Sequence, residues 1–181
     1  LIGSGLSGLA YATGDVDGIF GGSAETYTRD LQWKAFTPVL MGMSGWSAND
    51  RKHPWWFDEP YRSLNRAALK LKMRLTPYMY GLVHEAAQTG APPVRGLMWD
   101  FPDDPHAHDE TYKHQFLLGR DLLIAPVYRS QAASRGWRRD IHLPAGTWID
   151  YWDGRRVQAG APGRQLDRQV DLATLPVFVR A

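Results

Sequence analysis

The feature that most restricts the fold of this chain is a long stretch of apolar residues at helical spacing in the middle of the sequence. From residue 61 to residue 82 these residues recur every three or four positions, which is typical of one face of an α-helix. Asp58 is a suitable N-cap and Pro60 suits the first turn, while Gly90 predicts the end of the helix. Pro77 lies inside the pattern, so we expect it to kink or split the helix.

The residues before this helix alternate between strand-like and helix-like patterns. Residues 6–13 form a near-continuous apolar run that predicts a short buried strand. Residues 24–36 carry Glu25 and Arg29 at i,i+4 spacing, which indicates a helix. Residues 37–43 predict a second strand of apolar character. This alternation favours an α/β arrangement.

The residues after Gly90 have a different pattern, dominated by short strands. Glycine, proline and aspartate separate these strands, which is typical of an antiparallel sandwich or barrel. One short helix is predicted near residues 109–118. We therefore predict two domains, residues 1–90 and residues 91–181. The predicted strands are residues 93–99, 121–128, 138–142, 147–152 and 172–179.

The composition limits the class of protein and of partner. Of the 181 residues, 44% are hydrophobic and 22% are charged, which is typical of a globular protein. The net charge is +2 and the basic residues are scattered, so no nucleic-acid partner is expected. No apolar run approaches the length of a membrane helix, and the absence of cysteine excludes disulfides and thiolate metal sites. Because the sequence opens on Leu1, we expect a fragment of a longer protein. Compartment and oligomeric state stay open.

The stretch GDVDGIFGGS, residues 14–23, places two carboxylates in a glycine-rich turn after the first predicted strand. In an α/β barrel such a turn lies at the carboxyl end of the strand, where active sites are built. Asp15 and Asp17 are poor candidates for the catalytic pair of a glycosidase, because those carboxylates lie about 5–9.5 Å apart on opposite faces of a sugar. Two interpretations stay open: Asp15 binds substrate hydroxyls, or both aspartates only form the turn.

Two other segments carry residues that suit binding. The acidic loop at residues 103–110 contains His106 and His108, but their spacing matches no strict metal-ligand pattern, so we predict no metal site. An aromatic loop with Trp46, Trp55 and Trp56 can line a carbohydrate cleft, because flat rings suit the C–H surfaces of sugars. The same rings can equally fill an apolar space beneath a polar loop.

Several motifs, taken in order, resemble those of glycoside hydrolase family 31, the α-glucosidase-like retaining enzymes. LSGLAYATGDVDGIFGG is similar to a strand of the family and its Asp-Ile-Gly-Gly-Phe loop, with Asp17 in place of a glycine. ETYTRDLQWKAFTP is similar to the helix and strand that follow, and LKMRLTPYMYGLVHEAAQTGAPPVRGLMWDFPDD is the most specific match. QFLLGRDLLIAPV, IHLPAGTWIDYWDG and LPVFVRA complete a resemblance that covers essentially the whole chain.

The resemblance implies a fold and an activity. The fold is expected to be α/β plus all-β, the last part of a (β/α)8 TIM barrel followed by an antiparallel β-sandwich domain. The parent protein is expected to be a retaining α-glycosidase that hydrolyses or transfers α-glucosyl units of oligo- or polysaccharides, without cofactor or metal. The two catalytic aspartates of the family lie on earlier strands, so we expect them upstream of this chain, which alone should be inactive. Two alternatives stay open: a non-catalytic carbohydrate-binding protein, and a metal-binding module that uses His106 and His108.

The resemblance also assigns residues to the substrate pocket. Asp15 matches the loop aspartate of the family. Asp17 is an added carboxylate that can contact a sugar hydroxyl. Ile19 stands where the family has an aromatic residue, so one pocket wall is either smaller or supplied by Phe20.

A sugar-binding histidine of the family is missing from this sequence. Met43 or Trp46 stands near its position, depending on the gap in the alignment. We therefore expect an altered linkage preference, toward dextran-like, cyclic or transferred α-glucosyl units.

Overall fold

The structure, a computed structural model, describes residues 1–43 and 52–181 of the chain. The helices are α1 Ile2–Leu6, α2 Ala24–Lys34, α3 Tyr61–Thr89, α4 Leu97–Asp100 and α5 Gln131–Ser134, with short 3-10 helices at Pro105–His108 and Glu110–Tyr112. The strands are β1 Val94–Arg95, β2 Phe116–Leu118, β3 Leu122–Ile124, β4 Trp137–Leu143, β5 Gly146–Asp150, β6 Arg156–Ala159, β7 Arg164–Gln169 and β8 Val177–Arg180. Over these ranges, no helix has the length and apolar character to cross a membrane.

Helix α2 confirms the helix predicted from residues 24–36. It begins after Ser23, whose hydroxyl accepts a hydrogen bond from the Thr26 N–H at 3.1 Å. A serine at this position satisfies one of the free N–H groups of the first turn. Tyr27 and Leu31 on this helix are buried in a core cluster that also contains residues of α3.

Helix α3 confirms the long amphipathic helix and its C-terminal stop. Gly90 ends it with a left-handed φ of 77°, a conformation that glycine adopts without strain. The prediction that Asp58 caps its N-terminus is wrong. Pro60 occupies the N-cap position, and no side chain caps the first turn. A proline there has no N–H to leave unsatisfied.

Pro77 does not split α3, contrary to one of the two expectations for it. The helix is continuous through this residue. Leu75 and Met79, on either side of it, are buried in the main core cluster. Their packing stabilises a turn that has lost one backbone hydrogen bond to the proline ring.

The prediction of a buried strand at residues 6–13 is wrong. Residues 2–6 form α1, and the chain then continues without regular structure to Asp15. Asp15 makes a single parallel bridge with Met41, so the second predicted strand, residues 37–43, is also reduced to one bridging residue. A parallel strand needs neighbours to hydrogen-bond its N–H and C=O groups. Leu9 is 64% exposed, which shows that its segment is not covered within the described part of the chain.

The second half of the chain is an antiparallel structure of two sheets. Six strands form one sheet in the order β1-β2-β3-β8-β5-β6, and β4 pairs with β7 in a second sheet. All strand pairs in these sheets are antiparallel. These two sheets agree with the antiparallel β-sandwich predicted for the second half of the chain.

Several details of the strand prediction are corrected. The helix expected near residues 109–118 is replaced by the 3-10 turn Glu110–Tyr112 and by strand β2. Residues 93–99 give only the two-residue strand β1 followed by helix α4. Strands β6 and β7 were not predicted, because their exposed faces carry charged and polar side chains that mask the alternating pattern.

Strands β2 and β3 of the six-stranded sheet are buried on both faces. Phe116, Leu118 and Ile124 lie in a cluster with residues of α2 and α3, whereas Leu117 and Leu123 lie in a second cluster with residues of the β4–β7 sheet. Successive residues of one strand therefore pack on opposite sides, as the pleat requires. The helical half and the six-stranded sheet contribute side chains to one continuous core cluster. The boundary between two domains near residue 90 stays a prediction.

Candidate functional site

The two aspartates of the GDVDGIFGGS stretch lie at the point where two parallel segments end. Asp15 bridges Met41 in parallel, and the Val16 N–H donates to the Met41 carbonyl oxygen at 2.9 Å. Because the segments run in the same direction, the loop after Asp15 and the loop after Met41 leave at the same edge. In barrels of parallel strands this edge carries the active site.

The loop of residues 15–22 is a tight turn closed by the side chain of Asp17. The Gly18 N–H donates to the Asp15 carbonyl oxygen at 3.0 Å, and the Gly22 N–H donates to Oδ2 of Asp17 at 2.5 Å. Asp17 has a left-handed φ of 60°, a conformation that aspartate tolerates better than most residues and glycine adopts freely. This explains how an aspartate can occupy a position where a glycine is expected. One of its carboxylate oxygens is engaged within the loop itself.

Two buried lysines fix this loop, and the sequence pattern did not reveal either of them. The Lys34 ammonium donates to the Asp15 carbonyl oxygen and to Oδ2 of Asp30, each at 2.7 Å. The Lys52 ammonium donates to the carbonyl oxygens of Gly18 and, at 3.3 Å, of Ile19. A buried ammonium group needs such acceptors to offset its lost hydration. The loop backbone is therefore held by charge-assisted hydrogen bonds.

The position of Lys52 is fixed in turn by an aromatic side chain of α2. The Tyr27 hydroxyl donates to the Lys52 carbonyl oxygen at 2.9 Å, and its ring lies 4.5 Å from that of Phe57. Burial, with further contributions from Asp17 and Asp30, raises the pKa of Tyr27 to about 12. Tyr27 therefore stays a neutral hydrogen-bond donor across the physiological pH range.

Asp15 differs from Asp17 in that its carboxylate is not used by the loop. Its oxygen Oδ1 is buried and, among the residues that the structure describes, has no hydrogen-bond partner. Buried polar atoms in proteins are nearly always paired, and an unpaired acceptor costs about 1–3 kcal/mol. This buried oxygen has free lone pairs, so it can accept a hydrogen bond from a ligand hydroxyl once the loop gives access to it.

Apolar side chains surround the loop. Ile19 is 38% exposed and Phe20 is 75% exposed, so both remain available to contact a ligand or another part of a larger protein. Met43, two residues after the bridging Met41, is half-buried. Trp46 lies outside the described residues.

The acidic His-containing loop is a structural element. Asp104 accepts a hydrogen bond from the His106 N–H at 2.9 Å and pairs with Nε2 of the buried His142 at 2.7 Å. The Nε2 atom of His108 contacts the Pro102 carbonyl oxygen at 3.2 Å. Within residues 1–43 and 52–181, no group of three or more metal-ligating side chains comes together.

The described part of the aromatic loop lies against α3. The ring of His53 stacks on Trp55, with centroids 4.8 Å apart, and meets Trp56 edge-on at 4.3 Å. Trp55 lines a groove of about 690 Å³ whose other walls are formed mainly by α3, including Leu69 and Met73. Both earlier interpretations of these rings, sugar cleft and apolar filler, stay predictions.

Comparison with protein families decides the identity of the fold. Residues 1–82 match the model of the glycosyl hydrolases family 31 TIM-barrel domain, and residues 90–181 match that of the glycosyl hydrolase family 31 C-terminal domain. The chain belongs to glycosyl hydrolase family 31. This confirms the predicted fold class, the end of a TIM barrel followed by an antiparallel β-sandwich. The parallel bridge between Asp15 and Met41 lies within the residues that match the barrel domain, and both antiparallel sheets lie within those that match the C-terminal domain.

Individual relatives within family 31 agree with this assignment. The chain is 34% identical to α-glucosidase 2 of Bacillus thermoamyloliquefaciens over 97% of its length, and 32% identical to an α-xylosidase of Saccharolobus solfataricus over 97%. Its fold matches that of a family 31 dextranase of Flavobacterium johnsoniae, solved in complex with glucose, with a TM-score of 0.86 and 31% identity over 99% of the chain. The chain covers only 21%, 23% and 22% of these three proteins, respectively.

Proposed function

We propose that the full-length protein is a retaining α-glycosidase that hydrolyses or transfers α-glucosyl units of oligo- or polysaccharides. Membership of family 31 and the relatives named as an α-glucosidase and a dextranase support this activity. In a retaining mechanism, a carboxylate attacks the anomeric carbon to form a covalent glycosyl–enzyme, which then passes the sugar to water or to another sugar. Because one relative is named as an α-xylosidase, xylose is the alternative sugar to test.

The single observation that carries the proposal is the unpaired carboxylate oxygen of Asp15 at the barrel-like edge. A sugar presents hydroxyl donors, and a carboxylate held by a fixed backbone accepts from them with little reorganisation. The Asp15 backbone is held by Lys34, while its Oδ1 atom has no partner in the described part of the chain. We therefore assign Asp15 to substrate binding.

The remaining residues of the proposed pocket are assigned by position. Ile19 and Phe20 follow Asp15 in the same loop and form an apolar wall. Met43 and Trp46 follow the adjacent segment at the same edge, in place of the histidine expected there. Asp17 is assigned to the rim, with Oδ2 bound to the Gly22 N–H.

We place the nucleophile and the acid/base outside these loops. A retaining pair needs two carboxyl groups about 5–5.5 Å apart that flank the glycosidic bond. Asp17 accepts the Gly22 N–H and so points into its own turn, which leaves the loop without a second carboxylate aimed at the same ligand. This part of the barrel supplies binding, with residues 1–90 as its closing portion and residues 91–181 as the supporting sandwich.

Substitution of Asp15 by asparagine tests the assignment in the full-length protein. Asp15→Asn keeps the shape of the side chain and removes the charge that strengthens its hydrogen bond to a sugar. A charge-assisted hydrogen bond contributes about 1.5–3 kcal/mol, so we expect kcat/KM for an aryl α-glucoside to fall by roughly 10- to 100-fold. The same assay with an aryl α-xyloside determines which sugar the pocket prefers.

Asp103→Asn is the matched control, because Asp103 is an exposed aspartate far along the chain from the loop. We expect this variant to keep native activity, and both variants to keep the native melting temperature within a few degrees. Native kcat/KM in Asp15→Asn would remove Asp15 from the pocket. Absence of α-glycosidase activity in the full-length native protein would overturn the proposed function.

A further inference from the structure

A second cleft lies in the sheet half of the chain, separate from the Asp15 loop. Its volume is about 690 Å³, within the range of small-molecule sites. Its walls come from four places: residues 110–114 around the 3-10 turn, the segment at residues 127–135, strand β4, and Gln165 on β7. The proposed α-glycosidase activity assigns no role to this cleft.

Positive charge dominates the lining of the cleft. Five basic and two acidic side chains face it. Three of the basic side chains are paired, as Lys113–Glu110 at 2.9 Å, Arg139–Asp167 at 3.3 Å and Arg138–Asp140. Arg129 and Arg135 form no ion pair or side-chain hydrogen bond with any residue in the described ranges. The guanidinium of Arg129 lies 5.5 Å from the Tyr128 ring centroid, and the N–H donors of both guanidinium groups are available to a ligand.

The two aromatic rings of the cleft lie beside cationic side chains. The guanidinium of Arg138 lies 4.8 Å from the centroid of the Tyr128 ring, and the His114 ring lies 4.1 Å from the same ring. The guanidinium of Arg139 lies 5.2 Å from the Trp137 centroid. These rings orient cations through their π-faces. The cleft consequently presents N–H donors rather than stacking platforms.

The floor of the cleft is fixed by a buried arginine. Arg138 is only 3% exposed, and its Nε and Nη2 atoms donate to the carbonyl oxygens of Pro126 at 3.0 Å and His114 at 3.2 Å. The Tyr128 hydroxyl donates to Oδ2 of Asp140 at 2.7 Å. This network holds the walls in place before a ligand arrives, which lowers the cost of binding.

Arg135 has a backbone conformation that is unfavourable for most residues other than glycine. Its φ of 51° lies in the left-handed region, and the next residue, Gly136, has a φ of 75°. This left-handed residue is the cap that ends α5, and helices commonly end in this conformation, usually with glycine and sometimes with asparagine. A glycine would fit this position without strain, so the arginine side chain is the feature that needs a reason.

We propose that this cleft binds an oxyanion, the phosphate or carboxylate group of a small ligand, through the guanidinium groups of Arg129 and Arg135. A guanidinium presents a planar fork of N–H donors that matches the oxygens of both groups. The surplus of positive charge draws the anion in, and the paired residues of the floor keep the site from collapsing.

Calorimetric titration of the full-length protein tests the proposal, with inorganic phosphate, glucose 6-phosphate and glucuronate as probes. We expect saturable binding of at least one probe, weakened by added sodium chloride. Phosphate alone distinguishes a free anion site from a site for a sugar phosphate, and glucuronate reports a carboxylate site. Lack of saturable binding for all three probes overturns the proposal.

Two variants locate the binding. Arg129→Gln and Arg135→Gly should each weaken the affinity for the anion by about tenfold or more, as expected for loss of one charged hydrogen bond. Arg135→Gly also removes the backbone strain, so its melting temperature should equal or exceed that of the native protein. Weaker binding in a variant that is at least as stable cannot be attributed to unfolding. Unchanged affinity in both variants overturns the proposal.

Arg156→Gln is the matched control. Arg156 is an exposed residue on β6, in the six-stranded sheet, so its substitution removes one positive charge outside the cleft. It should leave the affinity for the anion unchanged. An equal loss in Arg156→Gln and Arg129→Gln would show attraction to net charge alone and would also overturn the proposal. Activity on α-glucosides is measured separately, so failure here leaves the proposed glycosidase function intact.

Discussion

At the scale of single residues, Asp17 combines two opposing effects in one carboxyl group. It accepts the Gly22 N–H at 2.5 Å, yet its removal from water raises its pKa above the ordinary value of 3.8. Asp30 adds to the rise, whereas the Gly22 N–H, Lys52 and Lys34 oppose it. A group whose pKa is raised by folding stabilises the folded state at low pH, and that contribution is lost as the pH rises through the raised pKa. At neutral pH the charge of Asp17 is therefore a net cost.

Asp17→Asn should remove that cost and keep an oxygen that accepts the Gly22 N–H. We expect the variant to melt at a higher temperature than the native protein near neutral pH, and the two curves to converge below pH 3.8. Thermal melts of both proteins across this pH range check the prediction, with Asp103→Asn as the control for loss of an exposed charge. A difference in melting temperature that stays constant with pH would show that the charge of Asp17 is not its cause.

Lys52 is the residue that we expect to control the shape of the proposed pocket. Its ammonium binds the carbonyl oxygens of Gly18 and Ile19, and Lys52→Met removes these donors while keeping most of the apolar stem. Two hydrogen bonds of about 1 kcal/mol each are lost, so KM should rise by up to roughly thirtyfold, with a smaller change in kcat. Hydrogen exchange of residues 16–22 should become faster.

Lys70→Met is the control for this variant, because Lys70 is an exposed lysine on α3. It should leave both KM and exchange unchanged. If Lys52→Met has native exchange rates in residues 16–22, the loop is held by other contacts.

At the scale of elements, α3 carries a proline that its packing tolerates rather than requires. Pro77 is exposed, and its ring prevents one backbone hydrogen bond within a continuous helix. Pro77→Ala should restore that bond and raise the free energy of unfolding by about 1–3 kcal/mol. Urea denaturation measures the change, with Thr76→Ala at the adjacent exposed position as the control. A destabilised Pro77→Ala protein would mean that the proline shapes a bend on which the core depends.

The two long helices, α2 and α3, were predictable from sequence because their signals are local. The end of α3 at Gly90 and the cap of α2 at Ser23 each depend on residues within one turn. Parallel strands depend instead on distant neighbours, and the apolar run at residues 6–13 cannot form one with a single bridge at Asp15. Strand β2 was mistaken for helix because three consecutive buried residues have no period to distinguish the two.

The candidate site was predictable only in part, for the same reason. Asp15 and Asp17 attract attention because two acids in a glycine-rich turn form a visible pattern. Lys34 lies 19 residues from Asp15, and Lys52 lies 34 residues from Gly18, the loop residues whose carbonyl oxygens they bind. No local pattern therefore connects either lysine to the loop. The spacing of Asp30 and Lys34, four residues apart on one helix, was the one available signal.

At the scale of the whole molecule, the helical half exposes apolar side chains that the sheet half does not cover. Tyr80 is 76% exposed and Met73 is 71% exposed on α3, and Leu9 is 64% exposed near the start of the chain. Exposed apolar surface of this kind marks contact with other protein. In the proposed full-length enzyme, these side chains pack against other elements of the barrel. The 181-residue chain alone is then expected to bind sugar weakly and to lack turnover.

The anomeric form of the first product distinguishes a retaining glycosidase from an inverting one. Proton NMR follows hydrolysis of an aryl α-glucoside by the full-length protein, with the 181-residue chain alone as the comparison. A retaining mechanism releases α-glucose first, because the covalent glycosyl–enzyme forms and breaks with two inversions at the anomeric carbon. We expect α-glucose as the initial product of the full-length protein and no product from the chain alone. Initial release of β-glucose would contradict a retaining mechanism. Turnover by the chain alone would contradict the placement of the catalytic pair outside these residues.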